Sequence, residues 1–395
     1  MTQVAGDEIR PRAVKAAIPL VGTYRTGHES EYVEAAMRGG SLAGGGTFGA
    51  RCEQHLRSVT ASPIAMLTSS CSSALHMAGQ ILGVGPGKEI IVPSLAFASC
   101  ASVFLSLGAR VVFADSGPES PNVSEASVQR LVTRRTAAVL VIHYGGIACS
   151  MDNLLALSER FGVPIIEDCA HALFGHFHGR PLGSMGALAV LSFDYAKNVT
   201  CGEGGALLVN DRDLAEAAEV VYHRGTNRAR MLRGESNQYE LVGAGGNYSA
   251  SELQAAYLYA QLRGSDAIQQ RRAAIWTMYQ NGLNDWACSR GVKLPACPPN
   301  SVSAYHLFYL IYPNEPSREK TIAALAQEGI ATSPHYLPLH LSPAGRLLGG
   351  RVGDCPIAEQ VSTRLLRLPF HQCLSNTDVE RVIDAVQRVD LSYGR

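Results

Sequence analysis

Apolar residues along this chain alternate between short β-branched runs and longer stretches with helical spacing, from about residue 60 to residue 210. The short runs predict buried strands at 89–93, 110–115, 136–143 and 163–168. The stretches between them predict helices at 72–82, 98–107, 124–132 and 151–161. Strands that alternate with helices build a mostly parallel sheet covered on both faces, so the predicted fold class is α/β.

The pattern changes character after residue 264, which predicts a second unit. Further strands are predicted at 187–193 and 205–210, and further helices at 213–222 and 251–262. Beyond them the sequence predicts helices at 266–283, 317–328 and 377–389, the last with a Thr N-cap, and a strand at 304–312. We therefore expect a large domain over residues 1–264 and a small C-terminal α/β domain over residues 265–395.

Composition narrows the functional classes. Apolar residues make up 46% and charged residues 17% of the 395 residues, which is typical of a globular chain. The formal net charge is zero, so the sequence offers no electrostatic footprint for nucleic acid or an anionic membrane. No apolar run reaches the roughly 20 residues of a membrane span, and Met1 to Ala17 shows no signal-peptide core.

The cysteines agree with a cytoplasmic, reducing location. All ten are scattered without a CxxC pair, so we expect neither a disulfide framework nor a metal site.

Ligands bind beyond the carboxyl ends of the strands in an open parallel sheet, and two polar segments fall at such ends. Thr68-Ser-Ser-Cys-Ser-Ser opens a predicted helix and offers a phosphate cup, or an ordinary Ser N-cap. Asp168 ends a predicted strand, where it can pair with a protonated ring nitrogen or serve as a turn residue. His171 follows as a ring contact or a structural histidine.

A lysine and a phenylalanine follow two other predicted strands. Lys197 lies between an apolar strand and a Gly-rich turn, where desolvation makes its amine a nucleophile toward an aldehyde. The alternative is a surface lysine. Ser192 precedes it and can contact a phosphate, while Phe97 can stack on a flat ring or pack in the core.

Seven segments, in this order and spacing, resemble the DegT/StrS family of sugar aminotransferases, a branch of the fold-type I pyridoxal-phosphate (PLP) enzymes. The resemblance runs from about residue 19 to the C-terminus. The matching segments are Pro93-Ser-x-x-Phe, His143-Tyr-Gly-Gly, Glu167-Asp-Cys-Ala, Ser192-Phe-x-x-x-Lys-Asn, Gly202-Glu-Gly-Gly, Gly246-Asn-Tyr-x-x-Ser-Glu-Leu-Gln-Ala-Ala and Pro338-Leu-His.

This resemblance implies the aspartate aminotransferase-like fold, PLP as cofactor and a homodimer with shared active sites. By position, Lys197 is the lysine that forms a Schiff base with PLP, and Asp168 pairs with the pyridinium nitrogen. Phe97 stacks on the ring, His171 stands where Gln is commoner, and Asn247 reaches the neighbouring subunit's site. By the same resemblance, the hydroxyl residues Ser72, Ser73 and Ser192 bind the phosphate of PLP.

Three segments resemble the dTDP-4-amino-4,6-dideoxygalactose transaminase subgroup (WecE type). They are His223-Arg-Gly-Thr-Asn-Arg, the long stretch from there to Gln254-Ala-Ala-Tyr-Leu-Tyr-Ala-Gln-Leu, and His335-Tyr-Leu-Pro-Leu-His with the following Pro343-Ala-Gly. The resemblance implies amino transfer from L-glutamate to C4 of dTDP-4-keto-6-deoxy-D-glucose, with a galacto or gluco product. His335, Tyr336 and His340 match the sugar-side segment, and the alternative is that they only pack their loop.

Three other functions are alternatives on the same fold. A 3-keto nucleotide-sugar aminotransferase of the same family differs only in the carbon that receives the amino group. A sugar dehydratase of the same fold has His in place of the lysine and in some cases a cysteine-bound cluster, whereas this chain has Lys197 and no cluster spacing. A non-catalytic PLP-fold sensor would not need Lys197, Asp168 and a phosphate cup together.

Overall fold

The structure is a computed structural model that describes residues 17–118 and 120–391. The N-terminal stretch predicted to lack a signal segment therefore lies, apart from Ala17, outside the described residues, as do the outer ends of both predicted domains.

Helices and strands alternate through the first two thirds of the described chain. The helices are α1 Glu29–Arg38, α2 Thr47–Thr60, α3 Cys71–Ile81, α4 Ser99–Ser106, α5 Glu125–Leu131, α6 Met151–Phe161, α7 Ala215–Tyr222, α8 Arg228–Leu232, α9 Glu252–Arg263, α10 Ser265–Arg290, α11 Glu315–Gln327, α12 Pro343–Leu347, α13 Pro356–Arg364 and α14 Asn376–Arg388. The strands are β1 Ile64–Thr68, β2 Glu89–Pro93, β3 Arg110–Ala114, β4 Thr136–Ile142, β5 Ile165–Asp168, β6 His176–Phe177, β7 Arg180–Pro181, β8 Leu188–Ser192, β9 Gly205–Val209, β10 Ser301–Val302, β11 Tyr309–Ile311 and β12 Leu365–Arg367.

The main sheet has the strand order β1-β9-β8-β5-β4-β2-β3 within the described residues. All neighbours pair in parallel except β9, which runs antiparallel to both β1 and β8. The predicted mostly parallel α/β sheet is therefore confirmed. Asp168 pairs with Ile142 on one side and Val190 on the other, so the carboxyl ends of β4, β5 and β8 share one edge.

Both faces of the sheet are buried, which explains the continuous apolar runs. Ile91 and Leu191 face one core cluster, while their neighbours Ile90 and Val190 face the other. Side chains alternate across a strand, so each strand supplies both clusters. Each such residue contributes about 1.5–3 kcal/mol of burial free energy.

The C-terminal segments build a further core around α10, α14 and the antiparallel pair β11–β12. Ile18 packs into this same core, although it belongs to the N-terminal range. Gly264 separates α9 from α10. The predicted boundary at residue 264/265 stays a prediction.

Two local predictions are wrong. Ser375, not Thr377, caps α14, and it forms a capping box with Asp378. The strand predicted over 304–312 shrinks to β11, because Ala304 N–H and His306 N–H bind the carbonyls of Gly146 and Gly145 instead.

All ten cysteines are free thiols. Over the described ranges, the helices are all too short or too polar to traverse a lipid bilayer.

Candidate active site

A cavity of about 530 Å³ opens at the carboxyl edge of β4, β5 and β8. Its walls come from this edge, from the N-terminus of α3 and from the segments around His335 and β12. The predicted site residues that line it are Ser72, Phe97, Asp168, His171, Ser192, Lys197, His335 and Tyr336. The predicted residues outside its lining are Ser73, Asn247 and His340.

Asp168 is the last residue of β5 and is buried. The backbone N–H of Ala170 donates to Oδ1 at 2.9 Å, and the Cys100 thiol donates to Oδ2 at 3.3 Å. Burial raises the pKa of Asp168, although both hydrogen bonds and the charge of Lys197 act against the rise. A cationic partner would relieve this desolvation.

The neighbouring Glu167 and His143 form a fully buried pair, with Oε2 and Nε2 3.0 Å apart. Burial raises the pKa of Glu167, but His143 and backbone N–H groups overcome this and lower it. Burial lowers the pKa of His143, but hydrogen bonds with Cys149, Cys169 and Glu167 raise it well above its ordinary value. The backbone N–H of Cys149, however, donates to Nδ1 of His143 at 3.1 Å, so the ring carries its single proton on Nε2 and donates it to the Glu167 carboxylate. This bond fixes the end of β5 that carries Asp168.

His143, Glu167 and Cys169 also have the donor atoms of a metal-ligand cluster within 4.8 Å of one another. The carboxylate oxygens of Glu167, however, already accept from backbone N–H groups at 183, 185 and 186 as well as from His143. The carboxylate of this cluster is therefore already engaged in hydrogen bonds that hold the 183–186 backbone against β5.

Lys197 follows β8 in a turn closed by its N–H to the Asp194 carbonyl at 3.0 Å. Burial lowers the pKa of Lys197, and this outweighs Cys71 and Asp168, which act the other way. The positive charge of Arg367 lowers it further. A lysine with a lowered pKa holds more neutral amine at a given pH, so it is a better nucleophile toward a carbonyl.

The N-terminus of α3 forms a small-residue cup. Ser70 caps the helix by accepting from Ser73 N–H, and the Ser73 hydroxyl bonds to Ser69 and Ser70 rather than facing the cavity. Ser70, Cys71 and Ser72 line the cavity at this point, and Ser192 lines it from the end of β8. Free N–H groups at a helix N-terminus and hydroxyls are the partners that a phosphate prefers.

Gly205, the first residue of β9, packs against the backbone at the start of α3. A Cβ at Gly205 would stand 2.4 Å from the carbonyl carbon of Ser70 and 2.5 Å from the nitrogen of Cys71. Only glycine therefore permits β9 to approach the start of α3 this closely.

Flat side chains flank the cavity. Phe97 is 60% exposed and meets the Tyr336 ring edge-on at 6.2 Å. The His171 ring stacks on His306 with centroids 4.1 Å apart. Gly145 N–H donates to Nδ1 of His171 at 3.3 Å, and burial keeps the pKa of His171 well below its ordinary value. The neutral ring then carries its proton on Nε2 and can donate to a ligand.

The predicted sugar-side residues separate into two groups. His335 lies between Tyr144 Oη, 2.8 Å from Nδ1, and Arg367 Nη1, 3.0 Å from Nε2. His340 is buried, with Nδ1 2.6 Å from Ser94 Oγ and Nε2 3.0 Å from Glu359. Both ring nitrogens of His340 are engaged, so the structure gives it a packing position rather than a substrate contact.

Asn247 lies outside this chain's cavity, where its Oδ1 accepts from Arg224 Nη2 at 2.9 Å. Its role across a subunit boundary stays a prediction.

The lining residues that the sequence-based set missed include Tyr144, His306 and Arg367, which carry hydrogen-bonding side chains. Tyr144 lies in the His-Tyr-Gly-Gly segment, and Arg367 interrupts the apolar run Leu365-Leu-Arg-Leu, which is an available signal. His306 had no such signal, because its position depends on Arg272, which donates to the carbonyls of Tyr305 and His306.

Comparison with known proteins agrees with this geometry. Residues 24–387 match the DegT/DnrJ/EryC1/StrS aminotransferase family. The spore coat polysaccharide biosynthesis protein SpsC of Bacillus subtilis is 32% identical over 94% of this chain and 96% of its own length. The aminotransferase TlmJ from Streptoalloteichus hindustanus is 30% identical and superposes with a TM-score of 0.84, covering 94% of this chain and 98% of its own.

Spr1654 from Streptococcus pneumoniae is 26% identical, with a TM-score of 0.86 over 94% of this chain and 98% of its own. Its structures include a PLP form and a PMP form.

Proposed function

The chain belongs to the DegT/DnrJ/EryC1/StrS aminotransferase family, and from this premise we propose that it moves an amino group from L-glutamate to C4 of dTDP-4-keto-6-deoxy-D-glucose. It is a PLP-dependent sugar aminotransferase. The observation that carries the proposal is the meeting, in one cavity, of Lys197, Asp168 and the hydroxyl-lined N-terminus of α3. Burial lowers the pKa of Lys197 and raises that of Asp168, which agrees with these roles.

The residues present fit PLP. Asp168 is a buried carboxylate that would be stabilised by a protonated ring nitrogen. The α3 cup, with Ser72 and Ser192, suits the phosphate. Phe97 offers an exposed face for the ring.

When bound, PLP supplies an aldehyde that joins to amines and a ring that acts as an electron sink. Asp168 would hold the ring nitrogen protonated. Burial lowers the pKa of Lys197, so its partly neutral amine would be the group that joins the aldehyde and the base that moves the proton of the donor carbon. His171, with its proton on Nε2, would donate to the phenolic oxygen.

The overall exchange converts glutamate and a keto sugar into 2-oxoglutarate and an amino sugar, in two half-reactions that share one cavity. The two substrates alternate at the same cofactor, so the kinetics should be ping-pong. The dTDP group is remote from C4, and its binding energy orients that carbon. Tyr336 and His335 line the cavity from the C-terminal side and can contact the substrate.

We also propose a homodimer in which Asn247 enters the neighbouring site. An exposed apolar stretch supports this, since Leu232, Leu241 and Val242 are 72%, 78% and 53% exposed close in sequence to Asn247. Exposed apolar patches of this kind mark protein interfaces. Two-fold dimers are the commonest closed assembly.

The test compares dTDP-4-keto-6-deoxyglucose with its 3-keto isomer and with UDP-linked 4-keto sugars, using L-glutamate. The dTDP 4-keto sugar should lead by at least about tenfold in kcat/KM, or roughly 1.4 kcal/mol of transition-state binding. NMR of the product identifies the aminated carbon. Preference for the 3-keto isomer would assign the enzyme to the 3-aminotransferases. If none of these sugars receives an amino group, the proposal is contradicted.

A further inference from the structure

The thiol of Cys100 lies beside the carboxylate of Asp168 in the cavity wall. Cys100 is the second residue of α4, is 3% exposed and lines the cavity. Its Sγ donates to Oδ2 of Asp168 at 3.3 Å, across a separation of 68 residues in the sequence. The contact therefore ties α4 to the residue that ends β5.

The carboxylate of Asp168 is held at both of its oxygens. Oδ1 accepts from the backbone N–H of Ala170 at 2.9 Å, a bond within the turn that follows β5. Over residues 17–118 and 120–391, Cys100 is the only side chain that donates to this carboxylate. A carboxylate offers about four lone-pair positions, so these two bonds fix its plane and leave the other positions for a ligand in the cavity.

Cys100 acts as a donor because its thiol keeps its proton. Burial raises the pKa of Cys100 well above its ordinary value, and the charge of Asp168 raises it further, whereas Lys197 acts the other way. A protonated thiol is a weak donor. It therefore neutralises little of the carboxylate charge, while a hydroxyl in the same place would form a stronger bond to a charged oxygen and stabilise that charge more.

Other titratable groups face Asp168 from the surrounding elements. Lys197, in the turn after β8, lowers the pKa of Asp168 by its charge. His143 donates its ring proton to Glu167 instead. The remaining neighbours are the thiols of Cys71 and Cys169 and the hydroxyl of Tyr336. Burial raises the pKa of all three, so they are neutral where a carboxyl group titrates. A change at Cys100 therefore alters the hydrogen bonding of Asp168 and leaves the charges around it in place.

We propose that Cys100 is a positioning residue: it holds the Asp168 carboxylate toward the ring nitrogen of the cofactor by a weak hydrogen bond that leaves the carboxylate most of its charge. This inference rests on the proposed pairing of Asp168 with that nitrogen. A side chain without a donor at position 100 would leave Oδ2 unpaired and raise the proton affinity of Asp168. A hydroxyl would lower that affinity, so the two replacements shift Asp168 in opposite directions.

The test compares wild type with Cys100→Ala and Cys100→Ser, and Cys52→Ala is the matched control. Cys52 is likewise buried and its Sγ donates to the carbonyl of Ala255 at 3.2 Å, but it lies outside the cavity lining. Carboxyl carbon-13 NMR of the full chain without cofactor measures the pKa of Asp168, and Asp168→Asn identifies its signal. Absorbance titrations then measure the dissociation constant of PLP across pH.

The Asp168 signal should titrate at a higher pH in Cys100→Ala and at a lower pH in Cys100→Ser, each by roughly half a unit to one unit. A protonated Asp168 cannot pair with the ring nitrogen, so PLP affinity is present above its pKa and is lost as the pH falls through that value. This acid limb should move with the NMR value in both variants. Above the limb, Cys100→Ala should bind PLP about 3- to 10-fold more weakly because the carboxylate is no longer held in place, and Cys52→Ala should match wild type throughout.

Shifts of equal sign in the two Cys100 variants would show an effect of side-chain volume and overturn the proposal. An unchanged Asp168 pKa in both variants would overturn it too, while the role of Asp168 stands if Asp168→Asn lacks the acid limb. If Cys100→Ala does not fold, Cys100→Ser decides alone, since only a hydrogen bond predicts its downward shift. If the acid limb persists in Asp168→Asn, the proposal falls with the pairing of Asp168 and the ring nitrogen, although opposite NMR shifts would still establish the bond from Cys100.

Discussion

Replacing Asp168 with Asn tests the part of the site that controls the cofactor ring. Asn keeps the size of the side chain and an oxygen for Ala170 N–H, which donates to Oδ1 at 2.9 Å. It removes the negative charge and places an amide group where the carboxylate faces the Cys100 thiol. The substitution therefore changes the charge at the ring nitrogen with little change in packing.

The expected loss follows from the burial of Asp168. Removing one partner of a buried, hydrogen-bonded charge pair costs roughly 2–5 kcal/mol. At about 1.4 kcal/mol per factor of ten, this corresponds to a fall of roughly 30-fold to a few thousand-fold in kcat/KM. PLP should still bind, but more weakly, since the α3 cup and Lys197 remain.

The assay combines kcat/KM with a titration of PLP binding across pH. Burial raises the pKa of Asp168, so the wild-type carboxylate is lost as the pH falls through that raised value, and PLP affinity should fall with it. The Asp168→Asn variant should lack this acid limb. Glu203→Gln removes another carboxylate of the cavity lining and should lose far less. Unchanged kinetics in Asp168→Asn would mean that a different carboxylate faces the ring nitrogen.

Three further predictions follow from the same site. Lys197→Ala should lose turnover by several orders of magnitude, and borohydride should fix the cofactor to the Lys197 peptide of wild type; a near-normal rate would refute the assignment. Mixing Lys197→Ala with an inactive Asn247 variant should restore partial activity in hybrid dimers, and no recovery despite subunit exchange would exclude a shared site. Glu167→Gln should lower the free energy of unfolding by roughly 3–5 kcal/mol in urea titrations, because it leaves His143 buried without its partner. The contribution of this pair should be present above the ordinary pKa of a Glu side chain and fade as the pH falls through the lowered pKa of Glu167; a mutational loss that does not decrease in acid would contradict the pairing.

The sequence predicts the central sheet well because its strands are buried on both faces. A strand such as β2 reads as an uninterrupted apolar run, and its predicted bounds match the structure. The same rule fails at the N-terminal side, where α1, α2 and β1 went unpredicted. Helix α1 has few buried residues, with Ala36 the apolar one among them, so its apolar spacing is weak.

The residues of the candidate site also differ in how well the sequence predicts them. Residues at the carboxyl end of a strand, such as Asp168, or shortly after one, such as Lys197, are brought to one edge by the parallel topology alone. Arg367 and His306 reach the cavity through the packing of the C-terminal core against that edge, a tertiary relation that local patterns do not contain. His340 is the opposite case: its segment matches the family's sugar-side motif, yet its ring nitrogens are engaged by Ser94 and Glu359. The motif alone does not reveal these tertiary contacts.

The contact between Gly205 and the start of α3 has a consequence for protein engineering. Gly205 has no side chain that could contact a substrate, so a directed-evolution library would include it among the positions that can be varied. Even alanine there would push the Ser70–Cys71 backbone away, since its Cβ would lie within 2.5 Å of the Cys71 nitrogen. Libraries that retune sugar preference should keep this position fixed, and a saturation scan should find it as intolerant as Lys197 itself.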